Sequence, residues 1–132
     1  MVDKSLPKIL KYHIIYSDDS GESHLNQKEV KQTLVNAAPP APPFYVSAFN
    51  TASKYGFYSA PPGWTSDLHP APARQIMVLL TGALDVVASD GGAVRLSPGD
   101  VLLIEDTVGR GHRSWNSGEG YCSFFVAQIP WG

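Results

Sequence analysis

The feature that most limits what this chain can fold into is a cadence. From residue 44 onward, runs of strand length (44–49, 55–60, 75–80, 84–88, 93–96, 101–104, 112–115 and 121–128) alternate with turn-forming sequences such as Pro61-Pro62-Gly63, Asp90-Gly91-Gly92 and Pro98-Gly99-Asp100. Glycine supplies the backbone conformations that tight turns need, and proline fixes φ and removes a hydrogen-bond donor. With 12 glycines and 11 prolines in 132 residues, interruptions are frequent and the length suits one hydrophobic core. Eight or nine short strands in one domain predict an all-β sandwich or barrel. The runs Leu84-Asp85-Val86-Val87 and Val94-Arg95-Leu96 flank Asp90-Gly91-Gly92 and form the clearest hairpin in the sequence.

The N-terminal third is less regular. Residues 9–16 (ILKYHIIY) are rich in β-branched and aromatic side chains and end in a polar turn at 17–21, which predicts a strand. Residues 26–35 carry apolar side chains at Val30, Leu34 and Val35, a pattern that fits a weak helical stripe and an irregular strand equally well. Four prolines in 36–43 (NAAPPAPP) bias that stretch to an extended connector. The expected organisation is an N-terminal strand and Pro-rich arm, 1–43, packed on a β-barrel, 44–132, in one structural domain. Residues 75–80 and 101–104 are apolar on both faces, which predicts cover on both sides, by the barrel interior and by a second subunit, and hence a homodimer.

Charge and composition exclude several function classes. Ten lysines and arginines against 12 aspartates and glutamates give a net charge of -2, with no basic run to neutralise phosphates, so no nucleic-acid partner is expected. The longest apolar stretches, 76–80 and 124–127, are far too short to cross a bilayer as a helix, and residues 1–11 lack the apolar block of a secretory leader. A soluble, cytoplasmic protein is the expectation. Cys122, the single cysteine, lies in an apolar run and reads as a buried, inert thiol.

The chemistry available to the chain centres on its four histidines. His13 in the first strand and His24 after a polar turn read as structural or solvated, with His24 within reach of a pocket mouth. His69 and His112 occupy recognisable spacings. Gly63, His69, Ala71, Gln75 and Gly82 fall on the frame of the first motif of the cupin superfamily, which reads glycine, five residues, His-x-His, three or four residues, glutamate, six residues, glycine. Ala71 stands at the second histidine and Gln75 at the glutamate. Downstream, Pro98-Gly99-Asp100 opens a strand, and Gly109, His112 and Asn116 match the end of the second cupin motif, with two extra residues between Gly99 and His112 and Thr107 in place of a proline. The chain from about Tyr55 to Gln128 therefore resembles a small single-domain cupin with a degenerate first motif. The resemblance implies a jelly-roll barrel around a metal or small-molecule site.

Strand alternation gives the same group of residues a common direction. His69, Ala71, Ala73, Gln75, Met77 and Leu79 would share the inward face of one uninterrupted strand, with Pro70 and Pro72 the places where a bulge would break it. His112, arriving from a partner strand, would bring a second imidazole to the same point. His69, Gln75 and His112 are thus the candidate ligands of a divalent transition metal, zinc, iron, manganese or nickel. The missing histidine and carboxylate weaken such a site and also leave positions open to substrate. The bland counterpart is an imidazole pair and an amide bonded to each other and to buried water. Phe57, Met77 and Phe125 are the candidate walls of the substrate pocket. Arg74, next to Gln75, should point to the opposite face. Glu105 and Asp106, adjacent carboxylates at the barrel rim, could act as a base, and a solvated turn is the favoured account.

Three functions follow from this reading. The first is a metal-dependent enzyme on a compact organic substrate, of isomerase, lyase or decarboxylase, or dioxygenase type. The second is a metal-free cupin that binds a small ligand without catalysis. The third uses a histidine as acid or base without metal, as sugar epimerases of similar fold do, and the basic cluster that such a site needs is missing from the sequence.

Overall fold

The computed structural model describes residues 9–131. Residues 1–8, on which most of the leader reading rests, lie outside it. Eleven strands follow one another: β1 (Leu10–Ser17), β2 (Ser23–Val30), β3 (Gln32–Val35), β4 (Phe44–Ser47), β5 (Lys54–Ala60), β6 (Gln75–Thr81), β7 (Leu84–Ala88), β8 (Ala93–Leu96), β9 (Val101–Ile104), β10 (His112–Asn116) and β11 (Cys122–Gln128). No helix occurs among the described residues, so none there is long and apolar enough to cross a membrane.

Two sheets enclose the core. One has the order β2-β1-β9-β6-β11-β5 and the other β10-β7-β8, to which the segment 65–69 adds through bridges Thr65↔Trp115 and His69↔His112. Without β1 and β2, the sheets read β5-β11-β6-β9 and 65–69-β10-β7-β8, which is the eight-strand order of a jelly roll. The β7–β8 hairpin forms at Asp90-Gly91-Gly92, where the Gly92 N–H donates to the Asp90 side chain at 2.8 Å. β3 and β4 pair as a separate ribbon across the proline-rich connector.

Residues 26–35, which fit a helix or an irregular strand equally well, are the end of β2 and all of β3. β2 pairs with β1 along its whole length but lies at the sheet edge, so only Ser23 is buried and Leu25 packs against the core. An edge strand solvated along most of its length needs no apolar alternation, which is why the pattern there is weak.

The core sits between the sheets. Met77, Leu79, Leu84, Val86, Leu102 and Phe124 all point into it and are buried. β9 pairs with β1 on one side and β6 on the other, and Leu102 and Leu103, on its opposite faces, are both buried. Cys122 is fully buried and free, and burial pushes its thiol pKa up, so the thiolate is disfavoured.

Candidate functional site

The segment before β6 does not run as one strand. Pro70 and Pro72 have no N–H to give a ladder, and regular pairing resumes only at Gln75. Ala71 stays in place because its N–H donates to the Asp106 carbonyl at 2.9 Å. The expected alternation is therefore interrupted: Ala71, Gln75, Met77 and Leu79 are buried, whereas Ala73 turns away to the outside with Arg74 and Pro130.

His69 and His112 face each other as a hydrogen-bonded antiparallel pair, each N–H donating to the other's carbonyl at 3.0 Å, with ring centroids 5.2 Å apart. Gly111 makes this approach feasible. Its φ is +73°, and a Cβ there would lie 1.9 Å from the His69 carbonyl oxygen. Next along the bridge, Ser66 and Ser114 continue the contact, with the Ser114 N–H donating to Ser66 Oγ at 3.1 Å.

The outer nitrogen of each ring is already committed. His69 Nδ1 lies 2.8 Å from the Asp67 carbonyl oxygen, which only accepts, so Nδ1 carries the proton. His112 Nδ1 lies 2.5 Å from Oδ2 of Asp106, a carboxylate with no exposed surface. Both imidazoles are left with Nε2 as the atom that meets a ligand, the arrangement by which protein carboxylates and carbonyls orient metal-binding histidines. Gln75, 4% exposed, adds an Oε1 that is buried with no hydrogen-bond partner.

All three side chains line one cavity of about 510 Å³ between the sheets. Its floor is apolar, formed by Met77, Leu84, Val86, Leu102, Ile104 and Phe124, and Phe57, Tyr58 and Trp64 stand at its more exposed side. Met77 is where strand parity puts it. Phe57 reaches the cavity edge while its ring packs edge-on against Phe125 at 5.5 Å. Phe125 itself, expected in the wall, lies on the outer face, because the inward residue of that pair on β11 is Phe124. The alternation of β11 is regular, but the sequence alone leaves its phase open, since Phe124 and Phe125 are equally apolar.

Asp106, expected from the sequence as a rim carboxylate, has a role there that was not read from the sequence. It is not part of a solvated turn: its carboxylate is buried against His112 and its Oδ1 has no partner. The signal was available, because Leu102 and Ile104 face inward and Asp106 continues that parity past the end of β9. Glu105, one residue earlier, faces the other way and accepts from Arg74 Nε at 2.7 Å, while Arg74 also stacks 4.8 Å over the Trp131 ring.

His24 lies away from the cavity. Its Nε2 meets Asp18 and its Nδ1 meets Asp90, each at 2.7 Å, so it ties the β1–β2 turn to the β7–β8 turn. The hydrogen bond to Asp18, and then that to Asp90, raises the His24 pKa. The same bond holds the Asp18 carboxyl far below the usual carboxylate range. Asp90 is lowered first by the Gly92 N–H and then by His24.

No protein-family description and no curated protein sequence matches the chain. Among solved structures, a cupin domain from Bordetella pertussis Tohama I is 18% identical, over 77% of this chain and 94% of that one, with a TM-score of 0.48. The Cnp3 cupin domain of Schizosaccharomyces pombe is 13% identical over 95% and 86%, at a TM-score of 0.40. A protein of unknown function from Streptococcus pyogenes is 14% identical over 65% and 72%, at 0.46. The order of this chain's own strands describes a jelly-roll barrel.

Proposed function

We propose that this protein is a metal-dependent enzyme acting on a compact organic substrate. One observation carries the reading. Two imidazoles, each fixed through Nδ1, and a glutamine whose buried Oε1 has no partner line the same cavity. A buried acceptor without a partner calls for a donor or a cation. His69, Gln75 and His112 would hold the ion, and zinc, iron, manganese and nickel all suit two imidazoles and an amide oxygen. When bound, the metal supplies Lewis-acid polarisation of a substrate oxygen, or dioxygen chemistry if it is iron.

The protein's own residues have separate tasks. Asp106 orients His112 and keeps Nδ1 committed. The Asp67 carbonyl does the same for His69. The apolar floor of Met77, Leu84, Val86, Leu102 and Phe124 gives the body of a substrate a hydrocarbon surface to lie on. Isomerase, lyase or decarboxylase, and dioxygenase reactions all fit such a site. A metal-free ligand-binding barrel is the second reading, favoured by Ala71, whose methyl is buried in the cavity wall where the first cupin motif has its second histidine.

Elemental mass spectrometry on untagged protein separates the two. The metalloenzyme reading expects about one metal per chain, lost in the His69→Ala, His112→Ala double variant. No metal in the wild type, and no rise in Tm on adding any of the four ions, would sink it.

A further inference from the structure

The cavity has an uneven chemical inventory. Its polar lining is His69, Gln75, His112, Ser114 and Ser59, and the rest of the wall is hydrocarbon or aromatic. Among the described residues, no lysine, arginine, aspartate or glutamate lines it. The Asp106 carboxylate stands behind His112 and is bonded to it. A charge on the part of a ligand that lies on the floor therefore meets Met77, Leu84, Val86, Leu102 or Phe124, with no counter-charge in the wall.

We infer that the site takes a compact molecule with a single polar or anionic head and an uncharged, mainly apolar body, and rejects phosphorylated or doubly anionic compounds. The head lies at His69, Gln75 and His112, and the body lies on the floor beneath Trp64 and Tyr58. A volume of about 510 Å³ matches a small organic molecule. This deepens the reading above and rests on its placement of the ligand's polar end at those three residues.

The test uses two probes of the same shape, 4-nitrobenzoate and terephthalate. Both carry a carboxylate head. At the far end one has a neutral nitro group and the other a second carboxylate. Terephthalate is symmetric, so a charge meets the apolar floor whichever way it enters. Equilibrium dialysis against the full chain, as purified and again after chelation, should show 4-nitrobenzoate bound at least tenfold more tightly. Equal or tighter binding of terephthalate overturns the inference, as does failure of both probes to bind at millimolar concentration. Metal analysis of the same samples keeps the two claims apart. A preserved preference in protein that holds no metal as purified, and gains no Tm on adding any of the four ions, sinks the metalloenzyme reading alone, and a lost preference in metal-loaded protein sinks this inference alone.

Discussion

The backbones of His69 and His112 exchange two hydrogen bonds of 3.0 Å, and this reciprocal pair sets the distance between the two rings that carry the proposed chemistry. The fold holds it with one bridge of the 65–69 segment, flanked by Pro70 on one side and Gly111 on the other. Small changes at those neighbours should therefore have large effects.

Gly111→Ala is the most direct case. The added methyl collides with the His69 carbonyl, which belongs to the backbone and cannot rotate aside, and the residue must keep a φ of +73°. The expected loss is about 3 kcal/mol or more. Gly91→Ala is the control, because its φ is +94° but nothing lies within 4 Å of the new Cβ. It should cost only about 1–2 kcal/mol, the price of a left-handed alanine. Urea denaturation of both variants checks the ranking, and similar losses would mean that the approach of the two segments is not tight.

Asp106 gives a second prediction. Asp106→Ala leaves the buried Nδ1 of His112 without an acceptor and should destabilise the protein by about 1–3 kcal/mol. Asp106→Asn keeps an acceptor oxygen in the same place and should recover more than half of that loss. Metal retention by dialysis should fall about 10–100-fold in the alanine variant. If Asn is as damaging as Ala in urea unfolding, the carboxylate charge rather than its position is what His112 requires.

Gln75→Leu should separate stability from function. Its Oε1 is buried with no partner, so exchanging it for a side chain of similar size should stabilise the metal-free protein by about 1 kcal/mol. The same change should lower metal occupancy. A drop in urea midpoint for the chelated variant would show that Oε1 already has a partner.

The His24 cluster predicts a pH dependence. The His24 pKa is raised on folding, so its contribution is complete below the unfolded value of about 6.5 and is lost as pH climbs through the raised one. Asp18 and Asp90 are lowered, so theirs is present above about 4 and fades as acid is added. The cluster therefore stabilises most between about pH 4 and 6.5. His24→Gln should remove the part of the alkaline decline in Tm that begins near pH 6.5 and leave other limbs in place. An unchanged difference in Tm between the two proteins from pH 5 to 9 would contradict this.

Most of the barrel was legible because turn chemistry is local. Asp90-Gly91-Gly92 closes a hairpin by its own backbone preferences, and the runs on either side have nowhere else to go. The site was legible in part. The positions of His69, Gln75 and His112 follow from spacing, since β6 and β10 begin at Gln75 and His112. Which of Phe124 and Phe125 enters the core was not, because alternation gives a period and leaves the phase to tertiary packing. Asp106 was hidden by a different effect. Carboxylates are solvated in most turns, and only the opposing imidazole makes burial of this one tolerable.

β1 pairs in parallel with β9, His13 standing opposite Leu102, and closes the edge of the barrel sheet that begins with β5. Seen from the ribosome, β1 is finished long before β9, its neighbour in the barrel sheet. At about 5–20 residues per second it waits roughly 5–20 s for its partner to emerge, with only β2 to shield Ile14 and Ile15 in the interval. Such long-range pairing slows folding, and for that time the β9-facing edge of β1 is open to chaperones and neighbouring polypeptides.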